Sequence, residues 1–329
     1  MARIAVLGSN SFSGSDFIAL LLEQGQHDVL GISRAAEKGP LFLPYLARDR
    51  SRFRFVQADL NRDMPALLAA LDAFRPEWIV NFAAQSEVGP SWHNPDHWFE
   101  TNTVALARLI NHLKGCDYLE RYLHVSSPEV YGTCVGTVYE DAPLNPSTPY
   151  AASKAAADLL LFTYFKNQGL PLFMVRATNV YGPHQQLFKI IPRSAIYLRQ
   201  ERKISLHGGG VAVKSYIHIR DVSRGELRIL EAGRPGEIYH LSPDRGYAVR
   251  EIVRKLCDLA RVSFDTAVES APERLGQDAA YVINSDKART ELRWRPTISI
   301  DDGLAQVDAW VQTNWAAFQN EPLDYTHRP

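Results

Sequence analysis

Residues 3–24 read RIAVLGSNSFSGSDFIALLLEQ. Ile4 to Leu7 is a short apolar run stopped by Gly8, and from Phe17 to Glu23 apolar residues follow a helical pattern that ends near Gly25. The stretch reads as strand, glycine-bearing loop and helix. Gly8 and Gly14 stand where a dinucleotide-binding loop needs a tight turn and a close helix–strand approach, while Ser11 takes the place of a middle glycine. Either its side chain is tolerated where backbone should approach a pyrophosphate, or its hydroxyl bonds a phosphate oxygen at the helix N-terminus. Ser11, Phe12 and Ser13 are the loop residues expected at the cofactor.

Working outward, strands and helices continue to alternate. Asp28 to Ser33 is a second strand, and it ends in Ser33-Arg34 where a carboxylate would bond the adenosine ribose hydroxyls. A hydroxyl and a guanidinium suit a ribose carrying a 2′-phosphate, which tilts the expectation slightly towards NADP over NAD. Phe53 to Ala58 is a third strand, closed by Asp59-Leu60, and Trp78 to Ala84 a fourth, followed by Gln85-Ser86. Small Ala83 and Ala84 at its C-terminal end permit a close approach by a dinucleotide. The pattern predicts an α/β fold with a Rossmann-type doubly wound parallel sheet. The dinucleotide-binding domain is expected over 1–182 plus about 216–242, and a smaller, C-terminal substrate-binding lobe over 183–215 and 243–329.

The 329 residues carry 46% hydrophobic content and a formal net charge of −1, enough apolar material for a substantial core. With no long run of either sign, nothing suggests a nucleic-acid or membrane-surface partner. No apolar stretch approaches membrane-spanning length. Cys116, Cys134 and Cys257 are odd in number and far apart, which fits a reducing compartment, so a cytoplasmic location is expected. No metal site is expected. His93 and His97 have i,i+4 spacing, but Pro95 lies between them.

Chemistry concentrates in residues 123–154. An apolar strand LHVSS leads into Pro128-Glu129-Val130-Tyr131-Gly132, and Pro149 opens an Ala-rich helix carrying Tyr150 and Lys154 on one face. A phenol ionises near pH ~10, and an ammonium beside it favours the phenolate. The pair therefore reads as a general acid/base, with Ser127 placed to hold a reacting hydroxyl. The turn His207-Gly-Gly-Gly210 lacks the Gly-x-Ser-x-Gly elbow of an esterase and reads as a plain turn, before a strand from Lys214 to Ile219.

These residues resemble the extended short-chain dehydrogenase/reductase superfamily over nearly the whole chain. Within it, Ala84-Gln85-Ser86 with Ser91, HVSSPEVYG, Asn179-Val-Tyr-Gly-Pro183 with Phe188-Lys189-Ile-Ile-Pro192, and Glu273-Arg274-Leu-Gly-Gln-Asp278 are similar to nucleotide-sugar 4,6-dehydratases. The resemblance implies Tyr150, Lys154, Ser127 and Glu129 as catalytic residues. It implies a cofactor site that includes Asp59, Leu60, Ala83, Ala84, Gln85, Asn102 and Val125, and substrate contacts from Ser86, Asn179, Lys189, Lys214 and Arg274. It also implies a homodimer through the long helices at about 95–113 and 150–168. The chain departs from the dTDP-glucose enzymes at Pro128, where they carry an Asp that protonates the departing hydroxyl. A UDP-glucuronate decarboxylase, a C4-epimerase and a 5,6-dehydratase are the alternatives on the same scaffold, and a non-catalytic cofactor sensor is a fourth.

Overall fold

The computed structural model describes residues 1–133, 136–272, 282–319 and 321–328. Seven parallel strands form one sheet: β1 (Arg3–Leu7), β2 (Asp28–Ser33), β3 (Phe53–Gln57), β4 (Trp78–Asn81), β5 (Arg121–Val125), β6 (Leu172–Ala177) and β7 (Ile238–Leu241). Their spatial order is 3-2-1-4-5-6-7, the doubly wound arrangement expected. The order of strands reverses between β1 and β4, which run parallel to each other, and a cleft opens beyond the C-terminal ends of these strands.

Both faces of the sheet are covered, as parallel sheets require. Ile4 and Val6 of β1 pack on one side with Phe17, Ile18 and Leu21 of helix α1 (Phe12–Gln24). Ala5 and Leu7, on the opposite face of the same strand, pack with Leu67, Leu71, Leu109 and Leu161. Ser11 caps the start of α1, accepting from the Gly14 N–H at 3.0 Å, and Gly25 ends it in the left-handed conformation. A separate apolar cluster of Tyr181, Leu187, Ile191, Ile252, Leu304 and Val307 holds the later part of the chain together.

Several boundaries differ from expectation. β4 stops at Asn81, whose side-chain oxygen accepts from the Ala83 N–H at 3.0 Å and turns the backbone out of the ladder. Residues 214–219 are not one strand: Val213–Lys214 pairs with Tyr247–Ala248, whereas Tyr216–His218 pairs with Asn179–Tyr181. The helix from Pro95 to Leu113 contains a π-helical stretch, Glu100–Ala105, between its α-helical parts.

Candidate active site

The glycine loop is built for close approach. Gly8 has a φ of +79°, and a side-chain carbon there would fall 2.8 Å from the Ala83 nitrogen. A carbon on Gly14 would fall 2.4 Å from the Gly8 carbonyl oxygen. The cleft above this loop encloses about 730 Å³, within the range of small-molecule sites. Gly8, Ser11, Ser33, Arg34, Asp59, Leu60, Ala83, Ala84, Gln85 and Ser86 all line it. The residues present therefore fit a dinucleotide.

Other expected cofactor residues take different parts. The Ser11 oxygen serves as the cap of α1, which accounts for the missing middle glycine. Phe12 is turned into the core and Ser13 continues the first helical turn. Asn102, only 3% exposed, engages its amide wholly within the protein. Its oxygen accepts from the Gln85 N–H at 2.8 Å, and its nitrogen donates to the Gln85 carbonyl at 3.0 Å and to Ser153 Oγ at 2.9 Å. Asn102 is thus a staple between the end of β4 and the Tyr150 helix (Pro149–Gln168).

The catalytic candidates converge where β5 ends. Ser127 caps the single turn Pro128–Tyr131, accepting from the Glu129 N–H at 3.2 Å. Tyr150 stands one residue into its helix, which Thr148 caps, and its N–H donates to Ser91 Oγ at 3.2 Å. Burial pushes the Tyr150 phenol well above its usual range and the Glu129 carboxylate pushes it further, while a hydrogen bond with Ser127 pulls it back. The Ser127 hydroxyl and the Glu129 carboxylate therefore both bear on the Tyr150 phenol.

In the protein alone, burial rather than the neighbouring ammonium sets the state of the phenol. Lys154 is aimed at β5, where Nζ donates to the Val125 carbonyl at 2.8 Å and to His124 Nε2 at 3.2 Å. Its own pKa is lowered to about 8, chiefly by burial, with Asp158 opposing and Arg176 adding to the fall. His124, fully enclosed, is held neutral by burial and by the cations of Lys154 and Arg176. Val125 thus enters the site through its carbonyl.

Behind these groups runs a buried polar chain. Arg176 and Asp158, each 1% exposed in their side chains, pair at 2.7 Å. Ser126 Oγ donates to the same Asp158 oxygen at 2.7 Å. Arg176 also donates to the Tyr131 hydroxyl, which in turn meets His240 Nε2 at 2.7 Å. The chain grips the 126–131 segment at both ends, so Ser127 and Glu129 sit on a rigid support.

Among the expected substrate residues, Ser86 lines the cleft and Lys189 Nζ pairs with Glu87 Oε1 at 2.7 Å at its edge. Asn179 opens a short strand, its N–H donating to the Ser215 carbonyl at 3.0 Å, and Lys214 ends another. Arg274 lies outside the described residues. Sequence reasoning missed Asn10, whose N–H donates to Ser33 Oγ at 3.0 Å, and it missed Glu87 and His124. It also missed the 321–328 segment, which reaches the cofactor cleft. Away from the cleft, ligand-type atoms of Asp72, His112 and Cys116 gather within 4.8 Å, but Asp72 is already bonded by His112 and Tyr118.

A doubly wound sheet, a glycine cradle at its switch point and a Ser–Tyr–Lys cluster over the end of β5 define an extended short-chain dehydrogenase/reductase. The family model for GDP-mannose 4,6 dehydratase matches residues 6–307, and the chain belongs to that family of NAD-dependent nucleotide-sugar dehydratases. A dTDP-glucose 4,6-dehydratase from Streptomyces antibioticus is 32% identical, over 98% of this chain and 95% of the relative. The solved structure of DesIV, a dTDP-glucose 4,6-dehydratase from Streptomyces venezuelae with NAD and TYD bound, superposes with a TM-score of 0.89. It is 33% identical, covering 96% of this chain and 98% of that one. A UDP-glucuronic acid 4-epimerase from Bacillus cereus, with UDP-glucuronic acid and NAD, gives a TM-score of 0.85 at 25% identity over 94% and 99% of the two chains.

Proposed function

We propose that the chain converts a nucleotide-diphosphate hexose, with dTDP-glucose the first candidate, into its 4-keto-6-deoxy form. One observation supports this reading: the Glu129 carboxylate is near enough to bear on the buried Tyr150 phenol, to which Ser127 is hydrogen-bonded. An epimerase needs an acid/base at C4 alone, whereas elimination also needs a base at C5. The names of the relatives supply the nucleotide and the sugar.

A nicotinamide held in the cleft would supply the hydride acceptor for C4 and the hydride donor for C6. Tyr150 removes the C4 hydroxyl proton, and Ser127 holds the C4 oxygen. With an oxidised nicotinamide bound, the Tyr150 phenol would feel a positive charge opposing the burial that holds it high. Once C4 is a ketone, its C5 hydrogen is acidic and Glu129 removes it. Pro128 has no proton to give, so Glu129 passes the C5 proton to the departing C6 oxygen, directly or through water. A solvent proton then replaces it at C5, and Tyr150 returns the C4 proton to solvent, so atoms balance as sugar minus one water. Lys154, seated on Val125 and His124, would hold the nicotinamide ribose.

NAD is the preferred cofactor in this reading. DesIV was solved with NAD, and the NADP preference expected from Ser33 and Arg34 gains no support from it. Ser33 Oγ already accepts from the Asn10 N–H, and an Arg34 Nη1 donates to the Arg328 carbonyl at 3.1 Å. We assign the dinucleotide to residues 1–182 plus about 216–242 and the sugar nucleotide to the remaining lobe. Asn179, Lys189, Lys214 and Arg274 are its proposed anion and sugar contacts. Exposed Phe99, Val104 and Leu159 on the two long helices support a homodimer through those faces. Free Cys116 and Cys257 are consistent with a cytoplasmic location.

The test is incubation of the protein and NAD with dTDP-, UDP-, GDP- and CDP-hexoses, with products followed by mass. Loss of one water from dTDP-glucose is expected. Loss of carbon dioxide from a uronate, or an isomer of unchanged mass, would replace this reading with decarboxylation or epimerisation.

A further inference from the structure

The 321–328 segment leaves the second lobe and runs back across the cofactor cleft. Glu321, Pro322, Asp324, Tyr325, Thr326 and Arg328 form part of its lining. The Arg328 carbonyl accepts from Gln85 Nε2 at 2.7 Å and from Arg34 Nη1 at 3.1 Å. Gln85 follows β4 and Arg34 follows β2, and β1 with its glycine loop lies between them. One backbone carbonyl thus bridges the two walls of the cleft over the loop that cradles a pyrophosphate.

The segment is anchored as well as clasped. His327 stacks on Trp98 and His97, with ring centroids 5.0 and 5.2 Å away, and its Nε2 lies 2.9 Å from His97 Nδ1. Tyr325 meets Phe188 edge-on at 5.2 Å, and its hydroxyl meets His327 Nδ1 at 3.1 Å. The cleft retains about 730 Å³ with the segment in place, room for a ligand beneath it. It is a roof, not a plug.

We propose that residues 321–328 belong to the cofactor site as a strap that retains the dinucleotide through the reaction. This rests on the hydride-out, hydride-back chemistry above. Between oxidation at C4 and reduction at C6 the reduced cofactor must stay where it is, because its loss strands an oxidised sugar on the enzyme. A strap clasped on Arg34 and Gln85 slows that loss, as closing segments do elsewhere. By engaging Arg34 it also occupies the guanidinium that a 2′-phosphate would need, which favours NAD.

The experiment compares the full chain with a chain ending at Pro322 and with the paired substitution Tyr325→Ala, His327→Ala. NAD binding is measured by titration calorimetry, and the dissociation rate of NADH by stopped-flow fluorescence on mixing with excess NAD. Loss of the bonds to the Arg328 carbonyl in the shortened chain, and of the ring contacts that hold the segment down in the paired variant, predicts NADH dissociation about tenfold faster or more in both. With dTDP-glucose present, free NADH accumulates from them and not from the full chain. Unchanged dissociation rates overturn the strap, and tighter NAD binding by the shortened chain overturns it in favour of a segment that competes with the cofactor. If the full chain and both altered chains all fail to bind NAD, the cofactor reading falls instead.

Discussion

The Lys154 ammonium lies 2.8 Å from the carbonyl oxygen of Val125, so the cation of the Tyr-Lys pair is tied to β5. Its proton is loosely held, because burial lowers the pKa to about 8. Below that pH Lys154 is a cation, able in the proposed complex to donate to the cofactor ribose and attract the pyrophosphate; above it the charge is lost. NAD affinity measured by calorimetry should be flat from pH 6.5 to about 7.5 and weaken as pH rises through about 8, by up to tenfold per unit. Lys154→Met should bind NAD more weakly throughout, without that step. A step that persists in Lys154→Met would assign the titration to another group.

Tyr150→Phe removes the hydroxyl proposed to take the C4 proton while leaving the ring in its buried seat. Turnover should drop by about 10²- to 10⁴-fold, the range for a lost general acid/base, and NAD affinity should stay within about threefold. A variant that still reduces NAD with substrate at near the parent rate would move the C4 base elsewhere.

Arg176→Met leaves the Asp158 carboxylate buried with Ser126 as its remaining hydrogen-bond partner. Breaking such a pair costs about 3–5 kcal/mol, and the thermal midpoint should fall accordingly. Because Arg176 also holds Tyr131, the 126–131 segment should lose its amide-exchange protection before the rest of the sheet. A variant as stable as the parent would show the pair to be replaceable.

Much of this was legible in the chain. The apolar run Ile4–Leu7, the two glycines and the helix from Phe17 announce a sheet and its switch point, because strand and helix periods are local properties of sequence. Tyr150 and Lys154 share a helix face for the same reason. The direction of the Lys154 ammonium was not legible, since it depends on His124 and Val125 about thirty residues away and on how deeply the fold encloses them. Nor was the strap: Arg328 meets Gln85 across 243 residues, and nothing local in Asp324-Tyr325-Thr326-His327 marks it as part of a cleft. Nor does the sequence show that Ser11, in place of the middle glycine, caps α1 through its side-chain oxygen, since that depends on the backbone geometry of the loop.

In the proposed reaction Glu129 and Tyr150 work on adjacent carbons of one hexose. A single turnover of dTDP-glucose in D₂O, read by mass and NMR, addresses this directly. The parent chain should place one deuterium at C5, whereas Glu129→Gln should oxidise C4, accumulate reduced cofactor and leave C5 unexchanged. C5 exchange at the parent rate in Glu129→Gln would contradict the account.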